Sequence, residues 1–264
     1  MKLKKLYKHD RGRQIFRLLP TDSNKLILEE RDRKKKEAFF SCFDINTGKK
    51  LFQDFQLDEK YWIGIRMVYK DIILFHHFER PDLPKHKGII AFDINTKKVI
   101  WENQNSFLFV SDDKAIFFTE QYGIRKYFSI DCLSGKIEED LTEIEKLTSV
   151  KENYDNYQFS KKITQSEFEL MIDSKFKKKI CNYLIKEDIN FVKKDGIIFF
   201  SFHIINKNSK FDNLFFASDQ DGKIILEETL NKGIDKIEPE SFFIKDNFLF
   251  LLFGSSGFGV YKII

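Results

Sequence analysis

The chain has little proline, glycine or cysteine for its length. Its 264 residues include four prolines and twelve glycines, and no stretch has the proline, glycine or serine content of a flexible linker. The sequence therefore predicts one continuous domain over residues 1–264. The three cysteines, Cys42, Cys132 and Cys181, lie far apart without CxxC spacing, which favours reduced core residues over a metal or disulfide framework.

Long apolar runs are also absent. The longest, Phe248–Phe253, is far shorter than the roughly 20 residues that a membrane-spanning helix requires. The basic amino terminus is interrupted by residues 8–11 (KHDR) before it reaches an apolar stretch, so a cleaved signal peptide is not predicted. We therefore expect a soluble, cytoplasmic protein without membrane insertion.

Neither sign of charge dominates. The 45 basic and 41 acidic side chains give a formal net charge of +4, and their interspersion argues against nucleic acid as the partner. Apolar and aromatic side chains, in contrast, are plentiful. Hydrophobic residues make up 42% of the chain and phenylalanine alone occupies 30 positions, which is enough apolar surface for a substantial core.

A local pattern of strand, Asp, polar turn and second strand recurs along the chain. Its copies are FDINTGKKLF from Phe43, FDINTKKVIW from Phe92, IDCLSGKIEE from Ile130, FELMIDSKFKKKI from Phe168 and SDQDGKIILE from Ser218. A second hairpin-like apolar pattern precedes each copy, such as FLFVSDDKAIFF from Phe107. Two hairpins make a unit of four strands, and a period of about 44 residues matches that of one propeller blade.

The sequence therefore predicts an all-β fold, a six-bladed β-propeller of four-stranded blades. The sixth copy stops partway, near Lys262, and residues 2–8 (KLKKLYK) resemble the strand that follows Asp93. We expect this N-terminal strand to complete the C-terminal blade and close the ring, which would remove exposed sheet edges. The approximate blades are residues 14–55, 62–102, 106–140, 146–185, 189–229, and 241–264 together with 2–8.

The turn pattern resembles the repeat of quinoprotein-type (PQQ-like) β-propellers, and also that of WD40-like propellers. It is an aromatic-Asp-x-x-Thr-Gly-Lys motif, complete from Phe43 to Lys49 and nearly so from Phe92 to Lys97. The resemblance is also compatible with an uncharacterised bacterial propeller family. A quinoprotein-type propeller implies a site at the mouth of the central channel. Quinone-dependent dehydrogenases are, however, larger, exported and richer in tryptophan than this chain with its two, and no cofactor is predicted.

The residues that recur in the turns are predicted to be structural. An Asp side chain accepts backbone hydrogen bonds from the residues after it, and glycine adopts the left-handed conformation that such a turn requires. Residues that fix turns recur in every unit, whereas a functional site does not. The predicted structural turn residues are Asp44, Gly48, Asp93, Asp131, Gly135, Asp219 and Gly222.

Binding residues are expected in the unequal loops that join the second and third strands of each unit. The loop around residues 77–87 holds the densest set of reactive side chains, including His77 and His86. Adjacent His76 and His77 point to opposite faces of a strand, so at most one can join His86, and a charged surface loop is favoured over a metal site. The candidate binding residues are Arg33, His77, Arg80, Asp82, His86, Tyr122 and Lys210.

No catalytic motif occurs: the sequence lacks a nucleophile elbow, a phosphate-binding glycine loop and HExxH. We therefore predict a monomeric, non-catalytic platform that binds a protein or peptide, with no catalytic and no metal-ligating residues. One alternative is a small-ligand binder or enzyme with a quinoprotein-like site at the channel mouth. A second alternative is a basic RNA-associated module, whose binding would fall steeply with salt.

Overall fold

The computed structural model describes residues 2–80, 83–138, 141, 143–150, 154, 156–172 and 183–264, which are almost entirely β-structure. The first thirteen strands are β1 (Leu3–Asp10), β2 (Gln14–Pro20), β3 (Lys25–Asp32), β4 (Glu37–Asp44), β5 (Lys50–Phe55), β6 (Ile63–Tyr69), β7 (Ile72–Arg80), β8 (Leu83–Asp93), β9 (Lys98–Asn103), β10 (Ser106–Ser111), β11 (Lys114–Gln121), β12 (Ile124–Asp131) and β13 (Ile137–Glu138). A short 3-10 turn (Ile144–Lys146) is followed by β14 (Tyr157–Phe159), β15 (Lys161–Ile163), the helix α1 (Gln165–Met171), β16 (Ile185–Lys194), β17 (Ile197–Ile205), β18 (Phe211–Ser218), β19 (Ile224–Ile234), β20 (Phe242–Lys245), β21 (Phe248–Phe253) and β22 (Gly257–Ile263).

One compact unit, Gln14–Asp155, contains three four-stranded antiparallel sheets. Consecutive strands pair in each, in the orders β2-β3-β4-β5, β6-β7-β8-β9 and β10-β11-β12-β13. We call them the first, second and third sheets. They begin and end within a few residues of the first three predicted units, because alternating apolar strands and Asp-marked turns specify both the faces and the ends of each strand. The predicted all-β class and four-stranded units are thus confirmed here.

The other compact unit, Met1–Arg13 with Asn156–Ile264, contains two five-stranded antiparallel sheets. Their orders are β1-β22-β21-β20-β14 and β15-β16-β17-β18-β19. The N-terminal strand β1 pairs with the C-terminal strand β22, from Leu3 opposite Ile263 to Asp10 opposite Gly257. The predicted pairing of the terminal strands is therefore confirmed, whereas six blades and a closed ring stay predictions.

The fourth predicted unit, residues 146–185, differs from expectation. The strand predicted at Phe168 is wrong, because this residue lies in α1. Thr164 and Glu167 form a capping box in which the Thr164 hydroxyl accepts from the Glu167 amide and the Glu167 carboxylate accepts from the Thr164 amide, and such a box favours a helix start. The short strands β14 and β15 pair with β20 and β16 of different sheets. Asp173, the predicted turn residue, lies outside the described residues.

The Asp-marked turns share one hydrogen-bond pattern. In the first sheet, Asp44 Oδ1 accepts from the amides of Asn46 and Thr47 at 3.1 and 2.9 Å and from the Thr47 hydroxyl at 2.7 Å, while Gly48 has φ +72°. Asp131, Ser134 and Gly135 repeat this arrangement in the third sheet. In the second sheet Asp93 accepts from Asn95 and Thr96, and Lys97 replaces the glycine at φ +58°. Asp219 accepts from Asp221 and Lys223, with Gly222 at φ +73°.

Phenylalanine forms much of the core in both units. Between the first and second sheets, Phe40 and Phe75 lie 4.6 Å apart between ring centroids in an edge-on arrangement. In the other unit, Phe200, Phe202 and Phe216 stack with centroids 5.5 to 6.2 Å apart. Such contacts add stabilisation beyond area burial. Cys42 and Cys132 are buried free thiols, Cys181 lies outside the described residues, and no described helix is long and apolar enough to cross a membrane.

The first strand of each sheet in the Gln14–Asp155 unit carries a β-bulge. The pairing register of β2 with β3 shifts at Phe16, that of β6 with β7 at Arg66, and that of β10 with β11 at Leu108. A bulge inserts one unpaired residue and redirects its side chain. These three positions therefore depart from the simple alternation that a strand pattern predicts.

Candidate functional site

A cleft of about 210 Å³ lies at the ends of the first and second sheets that are nearest the β3–β4 turn. Two residues come from β2, one from β3, one from the β3–β4 turn, two from the segment before β6 and one from β7. They are Gln14, Phe16, Arg31, Arg33, Tyr61, Trp62 and Phe78. Four of the seven are aromatic and two are arginines, and we call this site the aromatic–arginine cleft.

Phe16 is turned toward solvent by the bulge in β2. Its side chain is 49% exposed, although apolar residues before and after it on the same strand are partly or fully buried. The guanidinium carbons of Arg17 and Arg31 lie 5.1 and 5.0 Å from the centre of its ring, within the range of a cation–π interaction. The bulge thus supplies one wall of the cleft, and two arginines hold that wall in place.

Tyr61 and Trp62 are held by the residues before and around them. The Glu59 carboxylate accepts from both of their amides at 2.9 Å. Partial burial acts to raise the pKa of Glu59, but these backbone donors outweigh it and hold that pKa below its ordinary value. The two rings meet edge to face at 5.0 Å, and Phe78 donates its amide to the Trp62 carbonyl at 3.0 Å. The aromatic floor is therefore fixed by backbone contacts as well as by packing.

A buried ionic network lies beneath the cleft. Glu29, with no exposed surface, accepts from Arg17 Nη1 at 2.9 Å and from Arg31 Nε at 3.0 Å. It also accepts from the amide of Ile65 at 3.2 Å, which connects the first sheet to the second. Arg31 additionally donates to the carbonyls of Tyr61 and Ile63. Because a buried carboxylate needs paired donors, this network ties the segment before β6 to β3.

Two histidines stack beside the network. The rings of His76 and His86 lie 3.5 Å apart between centroids and are inclined by 22°. His76 is fully buried, and neither of its ring nitrogens has a hydrogen-bond partner among the described residues. Burial lowers its pKa to about 3, with repulsion from His86 and from Arg17, Arg66 and Arg31 acting in the same direction. The imidazole of His76 is therefore neutral at physiological pH.

The structure places the predicted binding residues in several different locations. Arg33 lines the cleft, and His86 stacks on His76, not on His77, which is half-buried on β7. Much of the predicted 77–87 loop is strand, since β7 and β8 extend to Arg80 and from Leu83. The Arg80 side chain and Asp82 lie outside the described residues.

The remaining two candidates lie elsewhere. Tyr122 is fully exposed at the tip of the β11–β12 hairpin in the third sheet, with φ +54°. Lys210 lies in the other compact unit, between β17 and β18, where its ammonium is 3.2 Å from the Asp235 carboxylate. Neither lines the cleft. Within the described ranges, no three His, Cys, Asp or Glu side chains come together as metal ligands.

Sequence reasoning missed Phe16, Tyr61, Trp62, Phe78 and Arg31. One available signal was the adjacent Tyr61 and Trp62, two large aromatic residues in a polar segment between predicted strands. Exposed Tyr and Trp at such positions are typical of binding surfaces. The position of Phe16 carried no comparable signal, because a bulge reverses the face that alternation assigns.

Together, the sheets and the cleft define an all-β repeat protein with an aromatic and basic cleft. A family model described as "Domain of unknown function (DUF4905)" matches residues 19–101, which is less than half of the chain. No curated protein matches the sequence.

Several solved structures are similar to this chain. BamB from Moraxella catarrhalis is 10% identical, with 93% of this chain and 58% of that chain covered and a TM-score of 0.28. A DUF4221 family member from Bacteroides vulgatus is 9% identical, with 99% and 97% covered and a TM-score of 0.34. TolB from Acinetobacter baumannii is 10% identical, with 92% and 65% covered and a TM-score of 0.29. The chain spans less than two thirds of the length of BamB and of TolB. Because these TM-scores are low, the description of the architecture depends on the sheets of this chain alone.

Proposed function

We propose that this chain is a β-propeller that binds a peptide segment of a protein partner in the aromatic–arginine cleft. The observation that carries the proposal is the composition of the cleft, with Phe16, Tyr61, Trp62 and Phe78 arranged around Arg31 and Arg33. Trp, Tyr and Arg dominate the energetics of protein interfaces, particularly in preformed pockets. The five antiparallel sheets and the β1–β22 pairing support the propeller architecture. A monomeric state and a cytoplasmic location are parts of the same proposal.

The size of the cleft favours a peptide side chain over a drug-sized ligand. Its volume is about 210 Å³, whereas pockets for small ligands typically hold about 300 to 1,000 Å³. A space of this size takes one large apolar side chain, while the rest of an extended segment would contact the surrounding rim. This supports an anchor residue inserted into the cleft, where it would contact Trp62 and Phe78.

The chemistry of the lining favours binding over catalysis. Among the described lining residues the ionisable side chains are Arg31, Arg33 and Tyr61, and arginine stays protonated in proteins. General acid–base catalysis needs a group whose pKa lies near the operating pH. His76 and His86 lie beside the cleft, but His76 is fully buried and its pKa of about 3 keeps it neutral.

The proposal is tested by selecting random peptides displayed on phage against the whole protein and measuring the affinity of enriched peptides by calorimetry. We expect enriched sequences to share a large apolar residue. Trp62→Ala should weaken their binding at least tenfold, as expected for an interface hot spot. Tyr122→Ala, which removes an exposed aromatic ring from the third sheet, is the matched control and should bind normally.

A second variant separates binding from folding. Phe16→Ser changes a side chain that is already 49% exposed, so it should leave the unfolding midpoint nearly unchanged and still weaken peptide binding. If no peptide is enriched, or if enriched peptides bind the wild type, Trp62→Ala and Phe16→Ser equally well, the cleft is not the binding site.

A further inference from the structure

A basic hairpin tip stands at the rim of the aromatic–arginine cleft. Arg33, Lys34, Lys35 and Lys36 are consecutive, all exposed, and form the turn between β3 and β4. Within the described part of the chain, none of these four cations makes an ion pair. Asp32 precedes them, but its Oδ1 accepts from the amides of Lys34 and Lys35 at 3.0 Å. The four cations outnumber the two flanking carboxylates, Asp32 and Glu37, so the tip presents a net positive charge.

The two arginines of the cleft differ in whether their guanidinium hydrogen-bond donors are available to a ligand. Arg31 is 7% exposed, and its guanidinium nitrogens donate to Glu29 and to the carbonyls of Tyr61 and Ile63. It is committed to the structure of the cleft. Arg33 lines the same cleft, is exposed, and has no hydrogen bond or ion pair from its side chain within the described residues. Its guanidinium retains the donor geometry that binds a carboxylate with two parallel hydrogen bonds.

We infer that the partner segment is acidic, with carboxylates flanking the apolar side chain that enters the cleft; this inference rests on the proposed peptide-binding function. Arg33 pairs with one carboxylate at the mouth, and Lys34, Lys35 and Lys36 attract others around the rim. Complementary charge of this kind accelerates association and selects against basic partners more than it adds to affinity. The aromatic lining supplies affinity, and the basic tip supplies selectivity.

The ring geometry favours a peptide over single-stranded nucleic acid, the other polymer that binds aromatic and basic surfaces. Bases stack on open aromatic faces. Here guanidinium groups lie over the faces of Phe16 and Tyr61, with Arg31 at 5.0 and 5.5 Å from the two ring centres. Trp62 meets Tyr61 at 75° and Phe78 at 80°, so the rings form a pocket for a side chain and not a set of parallel platforms.

The test uses one peptide selected by phage display and three labelled versions of it in which the residues flanking the apolar anchor are Glu, Gln or Lys. Fluorescence anisotropy is measured with the whole protein at low and at physiological salt. We expect the Glu version to bind most tightly and the Lys version least tightly, with the difference reduced by salt. Arg33→Glu should weaken the Glu version by roughly three- to tenfold, the range expected for reversing one exposed charge.

Lys49→Glu is the matched control. Lys49 is exposed in the Asp44 turn of the same first sheet, at the opposite end of its strands, so this variant makes the same change in net charge away from the cleft. It should leave all three peptides unaffected. Equal binding of the Glu and Gln versions, or equal effects of the Arg33 and Lys49 variants, would overturn the inference while leaving peptide binding itself intact. Tighter binding of labelled oligouridine, lost in Trp62→Ala, would overturn it in favour of RNA.

Discussion

Both compact units bury a polar cluster between two of their sheets, but the two clusters have different chemistry. In the Gln14–Asp155 unit the cluster is ionic, and Glu29 pairs with Arg17 and Arg31. In the other unit it is neutral: Ser201 contacts Ser241 at 3.2 Å and Asn190 at 3.5 Å. Each unit also has a buried histidine, His76 on β7, the second strand of its sheet, and His203 on β17, the central strand of its sheet and the strand that carries Ser201.

The difference shows what the buried charge does for the cleft. The ionic cluster holds the backbone of residues 61–65 in place. Glu29 accepts from the Ile65 amide, and Arg31 donates to the carbonyls of Tyr61 and Ile63. It therefore sets the position of the segment that supplies two aromatic residues to the cleft. Among the described residues, the hydrogen bonds of the neutral cluster join side chains to one another. His203, on the same strand as Ser201, accepts from the Glu238 amide at 3.3 Å. The ionic cluster thus holds the aromatic–arginine cleft in one arrangement, and such preorganisation would reduce the entropic cost of the proposed peptide binding.

The largest expected effect comes from removing the charge at the centre of the ionic cluster. Glu29→Gln keeps the shape but leaves the guanidinium groups of Arg17 and Arg31 without their carboxylate, and we expect the free energy of unfolding to fall by about 3 kcal/mol. Urea denaturation at pH 7 measures it. Glu228→Gln in the other unit is the control. Its carboxylate pairs with the partly exposed Lys8 at 3.1 Å and accepts from the Tyr261 hydroxyl at 2.6 Å. A Gln amide oxygen can still accept from Tyr261, so the loss should be about 1 kcal/mol. Equal losses would mean that the ionic cluster has no special structural role.

The histidines predict a difference in acid sensitivity between the clusters. The pKa of His76 is lowered to about 3, chiefly by burial, so the folded protein keeps this residue neutral while the unfolded chain takes up a proton below about pH 6.5. A lowered pKa means that the stability is present above the unfolded pKa and is lost as pH falls below it. Between pH 7 and pH 5 the loss attributable to His76 should be about 2 kcal/mol.

His76→Phe should remove most of that loss, measured as the difference between urea unfolding free energies at the two pH values. His203→Phe is the control in the neutral cluster. Burial also lowers the pKa of His203, but the nearby Glu187 charge opposes the shift, so this variant should remove less. An unchanged pH dependence in His76→Phe would show that its imidazole does not have to be neutral in the folded protein.

Much of the fold follows from the sequence because its determinants are local and repeat. Asp44, Asp93 and Asp131 each end a strand and fix the turn after it. The first and last residues of the first three sheets could therefore be predicted from the sequence to within a few positions. The pairing of β1 with β22 was predictable from the incomplete sixth repeat. The helix in the fourth repeat was not predicted, although Thr164 and Glu167 have the spacing of a capping box, because the hydrophobic pattern around Phe168 also fits a strand.

The site was less predictable because it depends on register and bulges. Strand alternation correctly places His76 and His77 on opposite faces of β7. Which of them stacks on His86 depends on the register of the β7–β8 pairing, which shifts at two positions. This register places His86 opposite Phe78 and therefore on the same face as His76. The exposure of Phe16 likewise depends on a bulge in β2. Arg33 was accessible to prediction, since it lies in a turn whose length is set by local sequence.

A smaller effect is expected from the neutral cluster. Ser201→Ala removes a buried hydroxyl that contacts both Ser241 and Asn190, and we expect a loss of about 1 kcal/mol in unfolding free energy. Affinity for a cleft-binding peptide should not change, because neither of these two hydrogen-bond partners of Ser201 lines the cleft. A parallel loss of peptide affinity would indicate that the neutral cluster also supports the binding surface, and the contrast between the two clusters would then be wrong.

The smallest effect concerns two cations in equivalent turns, Arg33 after β3 and Lys210 after β17. Lys210 is already paired with Asp235 across exposed side chains, so Lys210→Ala should change stability by about 0.5 kcal/mol or less and leave affinity for the acidic peptide unchanged. Arg33→Ala should be equally neutral for stability, measured by urea denaturation, yet weaken the same peptide in fluorescence anisotropy. Exposure and charge are shared by both residues, so a difference in binding alone would trace the function to the cleft that Arg33 lines. If the two variants affect peptide binding equally, general surface charge accounts for the attraction, and the aromatic–arginine cleft loses its role as the acid-selective site.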